Sequence, residues 1–216
     1  MILRLIALLN KYKYYTFLKN IQYFAFQMAY YTAFEVMECS WDELMQRLKI
    51  AENLDEVIDA HEDFLKNVLR RAMLGDREIT KDLLTKLRAI YDRVVEFDSV
   101  QKSLYDQAVE EADARRNFEM KIKRKGQKGQ YGVTQEEEEN EVQRKVVFDQ
   151  QTIPNLESRL KIVSQSYQDM VREFLIQLTV SADQSLQLLS FRLDFNIHYK
   201  RKVSRLATKS TFQHRQ

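Results

Sequence analysis

The chain has 216 residues but only 4 Gly and 1 Pro, where average usage gives about 15 and about 10. So few turn formers exclude a β-sandwich or barrel and the Gly-rich phosphate loops of nucleotide-binding α/β folds. Hydrophobic residues at 44% supply a core, while Lys+Arg 34 against Asp+Glu 32 leaves +2, no global pull toward nucleic acid or anionic membrane.

Met1–Leu9 is apolar. Its lysines, Lys11, Lys13 and Lys19, follow the run rather than precede it, and no small-residue cleavage site appears, unlike a secretory signal. Asn20–Phe34 is uncharged but shorter than the about 18–20 apolar residues of a membrane span. Tyr23, Phe24, Phe26, Tyr30, Tyr31 and Phe34 crowd all its sides. That predicts a buried helix surrounded by neighbours, some supplied by sequence upstream of this chain.

Ser40-Trp-Asp-Glu43 fits a capping box, opening a helix with Trp41, Leu44, Met45 and Leu48 on its core side. Asn53-Leu-Asp-Glu56 is a second cap signal. It leads into Leu54, Val57, Ile58, His61, Phe64, Leu65, Val68 and Leu69, one helical face, and Gly75 closes that helix.

No Gly or Pro interrupts residues 76–125. Leu83, Leu87, Ile90, Val94, Phe97, Gln101, Leu104 and Ala108 alternate by four and three, which keeps one stripe facing one partner. The stripe weakens after Ala108, predicting that the second half of the helix projects partly into solvent. Lys121–Lys128 is basic, Glu136–Glu139 is acidic, and Gly126, Gly129 and Gly132 lie among them. A disordered charged loop over about 124–136 is expected. It is either a solvated insertion or an electrostatic contact for an acidic tail or surface.

Pro154 suits the first turn of the next helix, where Leu156, Leu160, Val163, Tyr167, Met170, Phe174 and Leu178 form a second stripe. The two stripes can pack as an antiparallel pair. Ser181-Ala-Asp-Gln184 reads as a third capping box, before Leu186, Leu189 and Leu193. The tail from Arg201 is basic and polar. The fold class is therefore all-α: an elongated helical bundle with long antiparallel helices and one disordered charged loop.

Nothing in the sequence supports catalysis. His61, His198 and His214 have no metal-site spacing, and the single cysteine, Cys39, permits neither an intrachain disulfide nor a Cys zinc cage. His61 reads as a hydrogen-bonded core histidine. There is no G-x-S-x-G and no P-loop, so no catalytic residue, metal or cofactor is expected. Phe191-Arg192-Leu193-Asp194-Phe195-Asn196 is the most unusual run. Its aromatics and Arg are interface anchors, or they close the core around ordinary salt bridges. On these features alone the chain could also be a generic helical-bundle or coiled-coil adaptor, offering its stripes at 83–108 and 156–178 to other helices.

Several runs carry a resemblance. Tyr30-Tyr31, Phe34–Glu38, Ser40–Leu44, Leu54-Asp55, Ala60–Glu62, Phe64-Leu65 and Leu189–Asn196 followed by Tyr199 resemble, in the same order, the C-terminal domain of the gamma-tubulin complex component family. The resemblance covers about residues 20–200, leaving 1–19 as a non-matching segment and 201–216 as a flexible tail. It implies a helical scaffold that binds gamma-tubulin and other gamma-tubulin complex components, with no nucleic acid and no membrane span. It also implies a place in the cytoplasm and cytoskeleton, at the centrosome or spindle pole. The candidate gamma-tubulin-binding residues are Phe191, Arg192, Asp194, Phe195 and Tyr199, then Trp41, Asp42 and Glu35. Trp41 also reads as core, ahead of Leu44, Met45 and Leu48.

Overall fold

The computed structural model describes residues 12–75, 78–129 and 133–194. These are helical nearly throughout. α1 is Tyr12–Tyr30 and passes through a π-helical segment, Tyr31–Glu38, into α2, Cys39–Ile50. α3 is Leu54–Arg71 and α4 is Glu78–Gln127. α5 is Gln135–Val147, joined through a second π segment, Phe148–Thr152, to α6, Ile153–Val180; α7 is Gln184–Leu193. Among the described residues, no helix is long and apolar enough to cross a membrane. The described residues fall into two compact units, 12–17 with 92–167 and 18–91 with 168–194.

Both predicted stripes are internal. Leu83, Ile90, Phe97, Val100, Leu104 and Ala108 are buried on α4, and Leu156, Leu160, Val163, Tyr167, Phe174 and Leu178 on α6. They are consumed by this chain's own core, which removes them as the docking faces of a coiled-coil adaptor. In the first unit the Phe17 ring lies 4.8 Å from that of Phe97 and 5.2 Å from that of Tyr167, both edge to face. In the second, Phe24 takes the same role between Tyr91 and Phe174, at 6.4 and 6.3 Å.

As expected, α4 projects partly into solvent beyond Ala108, where Glu111 is its only buried residue. Glu111 and Glu141 are buried, and Arg144 of α5 bonds both carboxylates. Arg115 adds a pair to Glu111 at 2.6 Å, and Lys145 one to Glu141 at 3.0 Å. Burial pushes the Glu141 carboxyl up, but the bonds from Arg144 and Lys145 outweigh it and hold the group below its ordinary value. Charge thus continues the seam where the apolar stripe stops. The predicted loop is correspondingly shorter. α4 stays helical through 124–127 and α5 starts at Gln135, capped by Thr134 in a capping box with Glu137; residues 130–132 lie outside the described ones.

Two expected helix boundaries move. Ser40 caps nothing: it lies inside a continuous helix and is buried, because its hydroxyl accepts from Arg71 of α3 instead. α7 is capped by Asp183, whose carboxylate accepts from the Ser185 N–H, while Ser181 receives the Asp183 N–H. Pro154 does lie in the first turn of α6, but that helix continues from the second π segment, where the Ile153 N–H reaches back five residues to the Phe148 carbonyl. A widened turn next to Pro154 eases the conflict between a ring without an N–H and the helix it interrupts.

Asn53 does cap α3, accepting from the Glu56 N–H at 2.9 Å. At the other end the left-handed residue is Met73 (φ 61), ahead of Gly75. The Met73 and Leu74 N–H groups bond the carbonyls of Arg70 and Leu69, a Schellman closure. Met73 is 2% exposed, so burial offsets a backbone conformation costing about 1–2 kcal/mol for a residue with a Cβ.

Candidate functional site

The family-signature residues divide sharply by environment. Arg192 on α7 is the hub. Its Nη2 lies 2.5 Å from Glu35 Oε1 in the first π segment, and its guanidinium carbon sits 5.2 Å from the Tyr30 ring centroid. Tyr30 in turn stacks on Phe34, centroids 5.5 Å apart and planes 22° apart. The Arg192 carbonyl accepts from the Tyr23 hydroxyl at 2.6 Å. Burial, and after it the neighbouring Asp194 carboxylate, pushes the Tyr23 phenol up and keeps it a donor. Asp194 itself is buried at the end of α7. Ser190 is buried too, sharing a 2.7 Å hydrogen bond with the Thr179 hydroxyl. Arg192, through Glu35, Tyr30 and the Tyr23 hydroxyl, therefore fastens α7 to the α1–π segment.

A second fastening lies one helix away. The buried Tyr31 hydroxyl donates to the Arg71 carbonyl at 2.8 Å, and Arg71 donates to Ser40 at 2.9 Å and pairs with Glu43 at 2.8 Å. These bonds tie α3 to the π segment and α2. The π segment follows from the core spacing. Phe24, Met28 and Tyr31 are buried, the next is Val36, and then come Ser40 and Leu44. The five-residue step from Tyr31 to Val36 fits a wide turn, and the Cys39 N–H bonds the Phe34 carbonyl five residues back.

Other signature residues face outward. Phe191 is 62% exposed and Trp41 53% exposed, its indole edge-on to Phe64; Asp42 beside it is exposed. Trp41 is thus not core. Phe26, Tyr30, Phe34, Met37, Trp41 and Met45 are all exposed and recur every three or four residues, so α1 to α2 carry an open aromatic stripe rather than a helix enclosed within this chain. α3 departs from expectation likewise. Its apolar face, including Leu54, Ile58, Leu65 and Leu69, is exposed; only Ala60 is buried. His61 is exposed, tilted beside Phe64 at 6.3 Å, and is no core histidine. Amphipathic spacing reveals a face but not whether this chain covers it. Phe195 and Tyr199 lie outside the described residues. The Tyr30–Phe34 stack and the Arg71 hub escaped the sequence reading, although their four-residue spacing and the Ser40/Glu43 pair were visible.

Burial, and then the Glu35 carboxylate, pushes the Cys39 thiol up, away from the thiolate a nucleophile needs. No group of His, Cys, Asp and Glu among the described residues could hold a metal ion.

Residues 5–199 match the family described as gamma tubulin complex component C-terminal. The chain belongs to this family. The run Glu38–Leu44 points, within the family, to component 3. Gamma-tubulin complex component 3 homolog of Xenopus laevis is 46% identical over 184 residues, and gamma-tubulin complex component 3 of Homo sapiens 45% over 184; each match covers 85% of this chain and 20% of the relative. Gamma-tubulin complex component 3 of Drosophila melanogaster is 32% identical over 199 residues, 92% of this chain and 21% of the relative. The chain thus spans about a fifth of the length of these relatives.

Proposed function

We propose that this chain is a gamma-tubulin-binding scaffold segment of the gamma-tubulin complex, supporting microtubule nucleation at the centrosome or spindle pole. The observation that carries the reading is a surface of exposed aromatics on elements locked from within. Phe191 and Trp41, with Asp42, make the contact. Glu35, Arg192 and Asp194 set the pose of those rings without meeting the partner. Aromatic anchors held in one rotameric frame lose little entropy on binding. Phe195 and Tyr199 stay candidate contacts on the family signature alone.

The work done is positional, with no bond made or broken, and any nucleotide belongs to the tubulin. Nucleation is slow because the first lateral contacts must form between freely diffusing subunits. A scaffold that gathers gamma-tubulins raises their effective concentration and removes part of that association entropy.

The test is capture of gamma-tubulin by the full chain. Phe191→Ala with Trp41→Ala should lower capture at least tenfold, because each removes an exposed ring, while helicity stays at the wild-type level. Wild-type affinity in that double variant rejects these anchors. Arg192→Glu should instead lower helicity and melting temperature first, since it sets two carboxylates against each other at Glu35.

A further inference from the structure

The last turns of α4 carry a basic face that the reading above does not use. Lys121, Arg124 and Lys125 fall at i, i+3 and i+4, one side of α4, and Lys128 follows in the turn just past it, its N–H on the Lys125 carbonyl. With Asn117 and Met120 they line an open groove of about 300 Å3. One carboxylate already sits against it. Glu137, in the first turn of α5, bonds Lys121 with one oxygen and Lys125 with the other, the latter at 3.1 Å. The bonds from Lys121 and then Lys125 hold that carboxyl down at about 2. Arg124 and Lys128 are exposed, and no ion pair engages either among the described residues.

We propose that this groove docks an acidic peptide, a segment with Asp or Glu carboxylates laid along the end of α4 from Asn117 and into the following turn at Lys128. Glu137 displays the binding mode from within the chain, one carboxylate shared by two ammonium groups. Arg124 and Lys128 continue the row. They are four residues apart, about 6 Å along the helix axis. Side chains on the same face of an extended peptide repeat at about 6.6 Å, so successive carboxylates on one edge meet successive cations. Met120 supplies an apolar floor for their methylene stems. Among the described residues, the groove's lining holds no aromatic ring on which bases could stack, which favours a peptide over a nucleic acid. Glu137 then acts as an internal competitor, holding two of the four cations until a stronger acidic ligand arrives.

A fluorescein-labelled octaglutamate titrated with the full chain reads this by anisotropy at two salt concentrations. Binding should weaken as salt rises. Arg124→Glu with Lys128→Glu should weaken it at least tenfold, and Glu137→Gln, which keeps an acceptable residue in the capping box, should tighten it severalfold. Circular dichroism checks folding, and the neutral pair Arg124→Gln with Lys128→Gln decides if charge reversal lowers helicity. No binding, or equal binding by the charge-altered folded chain, overturns the proposal. Tighter capture of a single-stranded oligo-dT or of an anionic vesicle through the same two cations also overturns it.

Discussion

Beyond Ala108, α4 meets α5 through carboxylates and guanidinium groups, whereas the unit of residues 18–91 and 168–194 is closed by rings and aliphatic chains, with rings left over outside. The contrast separates two kinds of specification. A buried charge accepts few positions for its partner, so Glu111, Arg144 and Glu141 fix the α4–α5 register at some cost in desolvation. An exposed aromatic stripe specifies only that something apolar should cover it. The first unit defines its own geometry; the second leaves part of its definition to whatever it meets.

The largest effect should come from the aromatic unit. Phe174→Ala removes a ring that is 0% exposed and touches Phe24, and should cost about 4 kcal/mol in urea denaturation. A loss below about 1 kcal/mol would mean that this core is loosely packed. In the charged seam, Arg144→Met leaves buried Glu111 with Arg115 alone and Glu141 with Lys145 alone, and should cost about 2 kcal/mol. The sharper version adds Glu111→Leu and Glu141→Leu. Stability should then return near the wild type while the hairpin register loosens, visible as lost hydrogen-exchange protection in α5. Asn53→Ala removes the local cap of α3 and should cost about 1 kcal/mol, read in the same urea denaturation.

The smallest effect is the protonation of Glu137. Its folded value, about 2, lies below the ordinary 4.5, so its pairing is complete above about 4.5 and is lost as pH falls toward 2. An NMR titration of the Glu137 carboxyl should place its midpoint near 2. A midpoint at 4.5 would show that the lysines leave it in solution.

The heptad-like stripes of α4 and α6 were legible because apolar spacing of four and three admits one geometry. The Asn53 cap was legible because its partner lies three residues away. Ser40-x-x-Glu43 has the same signature, yet both side chains answer Arg71 from 28 and 31 residues downstream, which no local rule can reveal. The α3 face and Trp41 were read as core because periodicity is blind to coverage. The first π segment was hidden for a different reason. Tyr and Phe stand on every side of residues 23–34, so the five-residue step from Tyr31 to Val36 does not stand out. At the candidate site, Phe191 and Arg192 are neighbours in sequence with opposite fates, and only the Glu35 pairing distinguishes them.

Each π segment behaves as a helix that has absorbed one extra residue. A chain shortened by one position within Tyr31–Glu38 would relax to ordinary α spacing with Tyr31 and Val36 still turned inward. The same deletion in the middle of α4 would rotate everything beyond it by about 100° and expel the stripe. Length variation between family members should therefore gather at these two wide turns, where evolution can add or drop a single codon without rewriting the rest of the helix.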